Sequence, residues 1–266
     1  MTERLDAAVA ARGLARSRTH AATLIAQGLV SVDGTAVVKP SHRVAESAEI
    51  AVAASDHYVS RAAHKLLAAL DAFSIDVAGR AALDMGASTG GFTQVLRERG
   101  AEPVLAVDVG HDQLADSVRQ DAGVIAVEGF NVRFMDPSTL AAAAGMTYTP
   151  EVVTGDLSFI SLSHVLEPVR SIVTDTSDIV LLIKPQFEVG RTAVRGGLVT
   201  DPAQRAESIS TVLWQAWDAG LQTAGLIASP VVGTHGNQEY LVHLGRTGGR
   251  IPSEWESTVT ELTGVR

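Results

Sequence analysis

The sequence predicts an α/β protein: a doubly wound, Rossmann-like sheet preceded by a small α+β module. Three observations carry that expectation. An apolar run, Ala81-Ala82-Leu83-Asp84-Met85, passes into a glycine-rich turn, Gly86-Ala87-Ser88-Thr89-Gly90-Gly91, that opens a helix. Short apolar runs then alternate with helical stretches to the end of the chain, the pattern that builds a parallel sheet with helices on both faces. Ahead of them, two short helical patterns are followed by a stretch of period two.

In that first part, Leu5, Ala8, Val9 and Ala21, Leu24, Ile25 recur at helical spacing, Gly13 and Gly28 stand where helices stop, and Ser17 is placed to cap the second helix. Val30, Val32 and the Asp33-Gly34 turn predict a hairpin, and Ile50 and Val52 a further strand. Both periodicities lapse over 53–59, a polar linker that divides a domain at 1–59 from one at 60–266. A helix from Arg61 to Phe73 sets Leu66, Leu67, Leu70 and Phe73 on one face. Lys65 near its start opposes the helix dipole, a local conflict of the kind that function imposes. Strands follow near 81–85, 103–108, 124–127, 151–155, 178–183, 223–228 and 238–244. Asp201 as cap, Pro202 at the first helical position and Gly220 as stop bound a helix over 202–219, and 252–263 offers a short last one.

With 266 residues, 46% of them hydrophobic, the chain can build one large domain and a small one. The absence of cysteine excludes disulfides and thiolate metal sites, and the eight histidines show no metal-ligand spacing, so no metal is expected. The start carries no basic and apolar leader, and the longest aliphatic run, Ile179 to Ile183, is too short to span a bilayer. A cytoplasmic protein without stable membrane association is expected. The net charge is −9, yet residues 4–43 hold six Arg or Lys against two Asp. Arg4, Arg16, Arg18, His20, Lys39 and Arg43 are therefore candidates for nucleic-acid phosphates, the alternative being a solvated helix face.

The loop spacing Gly-x-x-x-Gly-Gly is not the Gly-x-Gly-x-x-Gly of dinucleotide sites, and an acidic residue, Asp84, enters it. A ligand with a ribose and an amino acid but no phosphate fits better, which points to S-adenosylmethionine and a methyltransferase. Asp108, ending the next strand, is placed for ribose hydroxyls. Ligands of such sheets lie beyond the carboxyl ends of the strands. Three further polar residues stand there: Asp156 after Val152-Val153-Thr154-Gly155, Lys184 after five aliphatics, and Glu239 where the last strand begins. Taken singly, each also reads as a solvated loop charge.

Ser60-Arg61-Ala62-Ala63-His64-Lys65-Leu66, Asp84 to Phe92, Asp156-Leu157-Ser158-Phe159-Ile160-Ser161-Leu162, Lys184-Pro185-Gln186-Phe187-Glu188-Val189-Gly190 and Gly236-Asn237-Gln238-Glu239-Tyr240 occur in that order. Together they resemble the TlyA-type rRNA methyltransferases of the haemolysin A family, in which an S-four-type RNA-binding domain precedes an FtsJ-like catalytic domain. Arg4-Leu5-Asp6, Arg12 to Arg18 and Ile25 to Gly34 resemble that first domain. The resemblance implies S-adenosylmethionine-dependent 2′-O-methylation of cytidine in the 16S or 23S rRNA of ribosomal subunits, or in both. It implies a catalytic tetrad of Lys65, Asp156, Lys184 and Glu239, with Lys184 as base or hydroxyl-orienting group and Lys65 stabilising oxygen charge. It nominates Asp84, Gly86, Ser88, Gly90, Phe92, Asp108, Asn131 and Asp156 for the cofactor, Asn131 and its neighbour Arg133 reading equally as plain loop residues.

To the basic residues already named, Arg61, Arg191 and Arg195 are added as RNA contacts. The glycine-punctuated stretch 186–201 either closes over substrate or is simply mobile. Ser158 and Ser161 lack a Gly-x-Ser-x-Gly elbow and read as caps of the following helix. Two rival readings are a membrane-lytic haemolysin, for which no cationic amphipathic helix dominates, and an RNA-binding, ribosome-associated protein without catalysis, against which all four tetrad residue types are present. A monomer is expected.

Overall fold

The computed structural model describes residues 2–26, 28–52, 57–190, 196–233 and 236–265. Its first part runs Thr2–Arg4 (β1), Leu5–Ala11 (α1), Arg18–Ala26 (α2), Val30–Val32 (β2), Thr35–Ala36 (β3), Arg43–Ala45 (β4) and Ile50–Val52 (β5). The apolar positions of the two helical patterns form one small core with Val30 and Val44. Ser17 caps α2, its Oγ accepting from the His20 N–H at 3.1 Å. The β2–β3 hairpin turns at Asp33-Gly34, both with positive φ (48° and 77°), the turn whose twist matches its strands. β5 pairs with the other side of β2. The pairing of β1 with β4 has no sequence signal, because Thr2-Glu3-Arg4 carries no apolar alternation. Residues 53–56 of the expected linker lie outside the described residues.

The remainder runs Ala63–Phe73 (α3), Ala82–Met85 (β6), Gly91–Glu98 (α4), Val104–Val107 (β7), Asp116–Arg119 (α5), Val124–Val127 (β8), Pro137–Ala144 (α6), Val152–Gly155 (β9) and Leu166–Ile172 (α7). Asp178–Ile183 (β10), Pro185–Glu188 (α8), Pro202–Asp218 (α9), Gln222–Ala228 (β11), Tyr240–Gly245 (β12) and Glu256–Thr263 (α10) complete it. The seven later strands form one sheet in the order β8-β7-β6-β9-β10-β12-β11. The pairs from β8 to β10 are parallel, and β12 is antiparallel to both its neighbours. Period-two alternation splits the strands between two cores. Leu83, Leu105, Val153 and Leu181 pack with α6, α7, α9 and α10, while Ala82, Val104, Val152 and Val180 pack under α3 and α4. The helix expected from Arg61 begins at Ala63, because Ser60–Ala62 form a turn in which Ser60 O and Arg61 O accept from the Ala63 and His64 N–H groups.

Two features of this topology build the site. The chain steps outward from β6 to β7 and β8, then returns to the other side of β6 at β9, which opens a crevice beyond the carboxyl ends of β6 and β9. Because β12 runs antiparallel with Tyr240 opposite Ile183, Glu239 arrives at the same edge as Lys184.

At the opposite edge Tyr148 is buried, its hydroxyl donating to Ala82 O at 2.6 Å and Pro103 O at 3.2 Å. That phenol ties the start of β6 to the residue ahead of β7. Tyr148→Phe is expected to lower stability by about 1–2 kcal/mol, seen as a lower urea midpoint with an unchanged m-value. A midpoint equal to that of the parent protein would refute this role.

Candidate active site

Four charged side chains from four separate elements meet at the carboxyl edge of the sheet. Lys65 Nζ, from the first turn of α3, lies 2.8 Å from Glu239 Oε2 and 3.2 Å from Asp156 Oδ2. Lys184 Nζ lies 2.6 Å from Asp156 Oδ1 and donates to Ser158 Oγ at 2.8 Å. The charges alternate in sign along Glu239, Lys65, Asp156, Lys184. Lys65, Lys184 and Glu239 are 5%, 7% and 2% exposed, so each ion has lost most of its water and depends on its neighbours. Burial pushes the Asp156 carboxyl up, but the two lysines outweigh it and hold the group below its ordinary value. The dipole conflict at Lys65 is resolved by the two carboxylates rather than by the helix. Gly233 leaves room for this arrangement, since a Cβ there would stand 2.4 Å from Glu239 Oε1.

Two clefts adjoin at this edge. The smaller, about 210 Å³, is lined by the tetrad together with Arg61 and Phe92. The larger, about 940 Å³, is lined by Asp108, Phe130, Asn131 and Phe159 among others, and Gly86, Ser88, Asp156 and Ser158 line both. Gly86 has φ 77°, and a Cβ there would stand 3.1 Å from Leu157 Cδ2 and 3.3 Å from Asp156 O. Only glycine lets this turn pass so close to the Asp156 loop. Asp108 accepts from the Ser88 N–H at 2.9 Å and the Gly110 N–H at 2.7 Å, which leaves its carboxylate further lone pairs. Asn131 Oδ1 accepts from the Arg133 N–H at 3.1 Å.

Asp84 and Gly90 line neither cleft. Asp84 is 1% exposed and accepts from Thr93 Oγ1 at 2.6 Å and Thr154 Oγ1 at 3.1 Å. Gly90 turns at φ 97°, and a Cβ there would face Leu114 and Val118.

Several contributors escaped the sequence reading. Ser158, expected as a helix cap, instead accepts from Lys184, whereas Ser161 does cap the 3-10 turn Leu162–His164. Glu188, in the turn that follows Lys184, accepts from Ser161 Oγ at 2.6 Å and the Leu162 N–H at 2.9 Å. It staples the loops after β9 and β10 together. Phe159 is 92% exposed at φ 64°, a backbone region that bulky residues rarely hold, with its ring 5.4 Å from that of Phe187. All of these lie in the quoted motif stretches, but their pairing depends on two loops meeting.

In the first part of the chain, Arg4 and Arg18 converge on Asp6 at 2.8 and 3.3 Å. The bond from Arg4 outweighs burial and, with Arg18, holds the Asp6 carboxyl at about 2. Arg16, Lys39 and Arg43 are exposed, and His20 is half-buried. Burial lowers the Arg61 guanidinium, opposed by Glu239 and Asp156. Arg191 and Arg195 lie outside the described residues. Among the described residues no cluster is arranged to hold a metal ion, and no helix is long and apolar enough to cross a membrane.

A doubly wound sheet with an antiparallel last strand, a glycine-lined cleft at its switch point and a Lys-Asp-Lys-Glu chain beside it fit a Rossmann-fold methyltransferase. Residues 58–246 match the FtsJ-like methyltransferase family, and residues 3–50 match the S4 domain. The chain is 46% identical over 244 residues to the 16S/23S rRNA (cytidine-2′-O)-methyltransferase TlyA of Mycobacterium tuberculosis, covering 91% of this chain and 89% of that one. It is 36% identical over 241 residues to Hemolysin A of Brachyspira hyodysenteriae, covering 90% and 98%. A solved hemolysin structure from Streptococcus thermophilus superposes with a TM-score of 0.75 at 34% identity, covering 99% and 96%. The protein belongs to the FtsJ-like methyltransferase family, in its TlyA group.

Burial raises the Asp84 carboxyl to about 6 from 3.8, against its two threonine bonds. A raised folded-state value means that the native protein binds this proton more tightly than the unfolded chain. The resulting stability is full below about pH 3.8 and is lost as pH rises through about 6. Asp84→Asn is expected to remove this decline, on the order of 3 kcal/mol, from the difference between urea unfolding at the two ends of that window. An unchanged pH slope in the variant would contradict it.

Proposed function

We propose that the protein transfers a methyl group from S-adenosylmethionine to the ribose 2′-hydroxyl of a cytidine in ribosomal RNA within ribosomal subunits. Residues 1–59 serve as the RNA-binding domain and 60–266 as the catalytic domain. The observation that carries this reading is the alternating chain Glu239, Lys65, Asp156, Lys184 at the mouth of a nucleoside-sized cleft. The 46% identical relative, an rRNA (cytidine-2′-O)-methyltransferase by name, supports the nucleoside and the polymer.

The larger cleft suits the cofactor. Val107, Val109 and Ile160 offer apolar walls for adenine, the remaining lone pairs of Asp108 suit a ribose diol, and the Gly86–Ser88 backbone with Asp156 suits an amino-acid end. S-adenosylmethionine, when bound there, would supply a sulfonium methyl for transfer to the 2′-hydroxyl, whose proton must be accepted as it reacts. Lys184 meets that hydroxyl as base or orienting group. Asp156 holds the Lys184 side chain in place, and Glu239 with Asp156 fixes Lys65, whose charge stabilises the ribose oxygen as its proton leaves. Held in place before the substrate arrives, these groups work chiefly by orientation.

The exposed Phe159 ring, backed by Phe187, offers a platform for an unstacked base. Arg4, Arg16, Arg18, His20, Lys39 and Arg43 bind phosphate, joined by Arg61, Arg191 and Arg195 toward the catalytic domain. Such a protein works in the cytoplasm, as a monomer.

The test incubates the protein with methyl-tritiated S-adenosylmethionine and unmodified ribosomal subunits. Label is expected in rRNA at a linkage resistant to alkali, as a 2′-O-methyl group requires. Lys184→Ala is expected to lose about 100-fold or more in turnover while its cofactor affinity, read by calorimetry, stays unchanged; near-native turnover would sink the assignment. Phe159→Ala is expected to raise KM for the subunit by roughly 10-fold, as the loss of one stacking contact would, and an unchanged KM would remove the platform.

A further inference from the structure

We infer that Ser158 is a positioning residue for methyl transfer, orienting the Lys184 nitrogen toward the reacting hydroxyl; the inference rests on the tetrad reading above. A lysine nitrogen carries one bond to carbon and three further tetrahedral directions. At Lys184 one of these is taken by Ser158 Oγ, which accepts at 2.8 Å, while Asp156 Oδ1 stands 2.6 Å away as an ion-pair partner outside hydrogen-bond geometry. The hydroxyl is thus the group that fixes a direction at this nitrogen, and the carboxylate holds its charge.

The two lysines of the tetrad differ in this respect. Lys65 is gripped by two carboxylates, an arrangement that keeps a cation in place. Lys184 has one carboxylate and a neutral hydroxyl, which orients the nitrogen without adding a second opposite charge. Ser158 lines both clefts and Lys184 the smaller one, so their contact stands where the nucleoside cleft meets the tetrad.

The serine is itself held. Its loop leaves β9 at Asp156 and is closed at its far end by Glu188, which accepts from Ser161 and Leu162. Glu188 belongs to α8, whose N-cap is Lys184. The two loops therefore form a closed ring with the Lys184–Ser158 contact inside it. The other charges at this edge are Lys65 on α3, Glu239 ahead of β12 and Arg61 ahead of α3, and none of these supplies the missing second acceptor to Lys184 among the described contacts.

The experiment compares the full-length parent protein, Ser158→Ala, Ser158→Thr and Lys184→Ala in single-turnover methylation of unmodified subunits across a pH series, with cofactor affinity measured separately. Ser158 is exposed, so neither substitution opens a core cavity, and urea unfolding checks that each variant folds. Ser158→Ala is expected to slow methyl transfer about 10- to 100-fold, the loss expected from one hydrogen bond to a charged group, with KM for RNA and cofactor affinity unchanged. Ser158→Thr, which keeps the hydroxyl, is expected to restore the rate. A Ser158→Ala protein with the parent rate overturns the inference while leaving the tetrad reading intact, as does a slowed variant whose rate Ser158→Thr does not recover. A parent protein that transfers no label to either subunit overturns the reading beneath it.

Discussion

The structure turns on the burial of four ions that only one another can stabilise. Removing a partner from a buried pair leaves an uncompensated charge, at a cost of about 3–5 kcal/mol. The chain from Glu239 through Lys65 and Asp156 to Lys184 therefore constrains the fold as much as the fold builds the chain. Each ion comes from a different element, so α3, β9, β10 and β12 must all end at one level. The antiparallel setting of β12 is required: a parallel last strand would carry Glu239 to the far edge of the sheet, where Tyr148 sits. The depth of Lys65 is set by α3, whose Ala63, Leu66, Ala69 and Leu70 lie on the sheet. Gly91, where a Cβ would stand 2.9 Å from Ser60 Cβ and 3.2 Å from Ala63 N, lets α4 press against the turn that starts α3.

The same edge separates two tasks by charge. The tetrad sums to no net charge, so it offers a hydroxyl orienting groups, and Arg61 beside it leaves the lining of the cleft with one positive charge to spare. Asp108, committed to the loops through the Ser88 and Gly110 N–H groups, keeps the larger cleft suited to a diol. A site built for pyrophosphate would instead aim free backbone N–H groups at its ligand.

Much of the fold was legible because the strands are buried on both faces and read as unbroken apolar runs: Val104-Leu105-Ala106-Val107 and Ile179 to Ile183 can hardly be anything else. The Asp33-Gly34 hairpin and the Asp201-Pro202 helix start were written in turn and cap chemistry. The tetrad was legible only collectively. Lys184 or Glu239 alone looks like a loop charge, and what singled out the four was their occurrence in ordered motifs. Ser158, Glu188 and the Phe159–Phe187 pair were not legible, because their roles arise where the loop after β9 meets the loop after β10. No local period encodes that meeting. Asp84 reads from the sequence as a ligand contact because it stands near a strand end, and what the sequence does not show is that Thr93 and Thr154 donate to it.

Asp6 shows how a chain of net charge −9 can gather basic groups locally. A buried acid in a basic segment would ordinarily be a defect, since it cancels charge that phosphate binding needs. Here it gathers Arg4 and Arg18 side by side from β1 and α2. Both guanidiniums keep donors to spare, as each carries five N–H groups. Ordering two long side chains in advance removes part of the entropy that binding would otherwise cost, about 0.5–1.5 kcal/mol for each immobilised side chain. The acidic surplus lies in the catalytic part of the chain, away from this pair, so overall charge and local affinity are free to point in opposite directions.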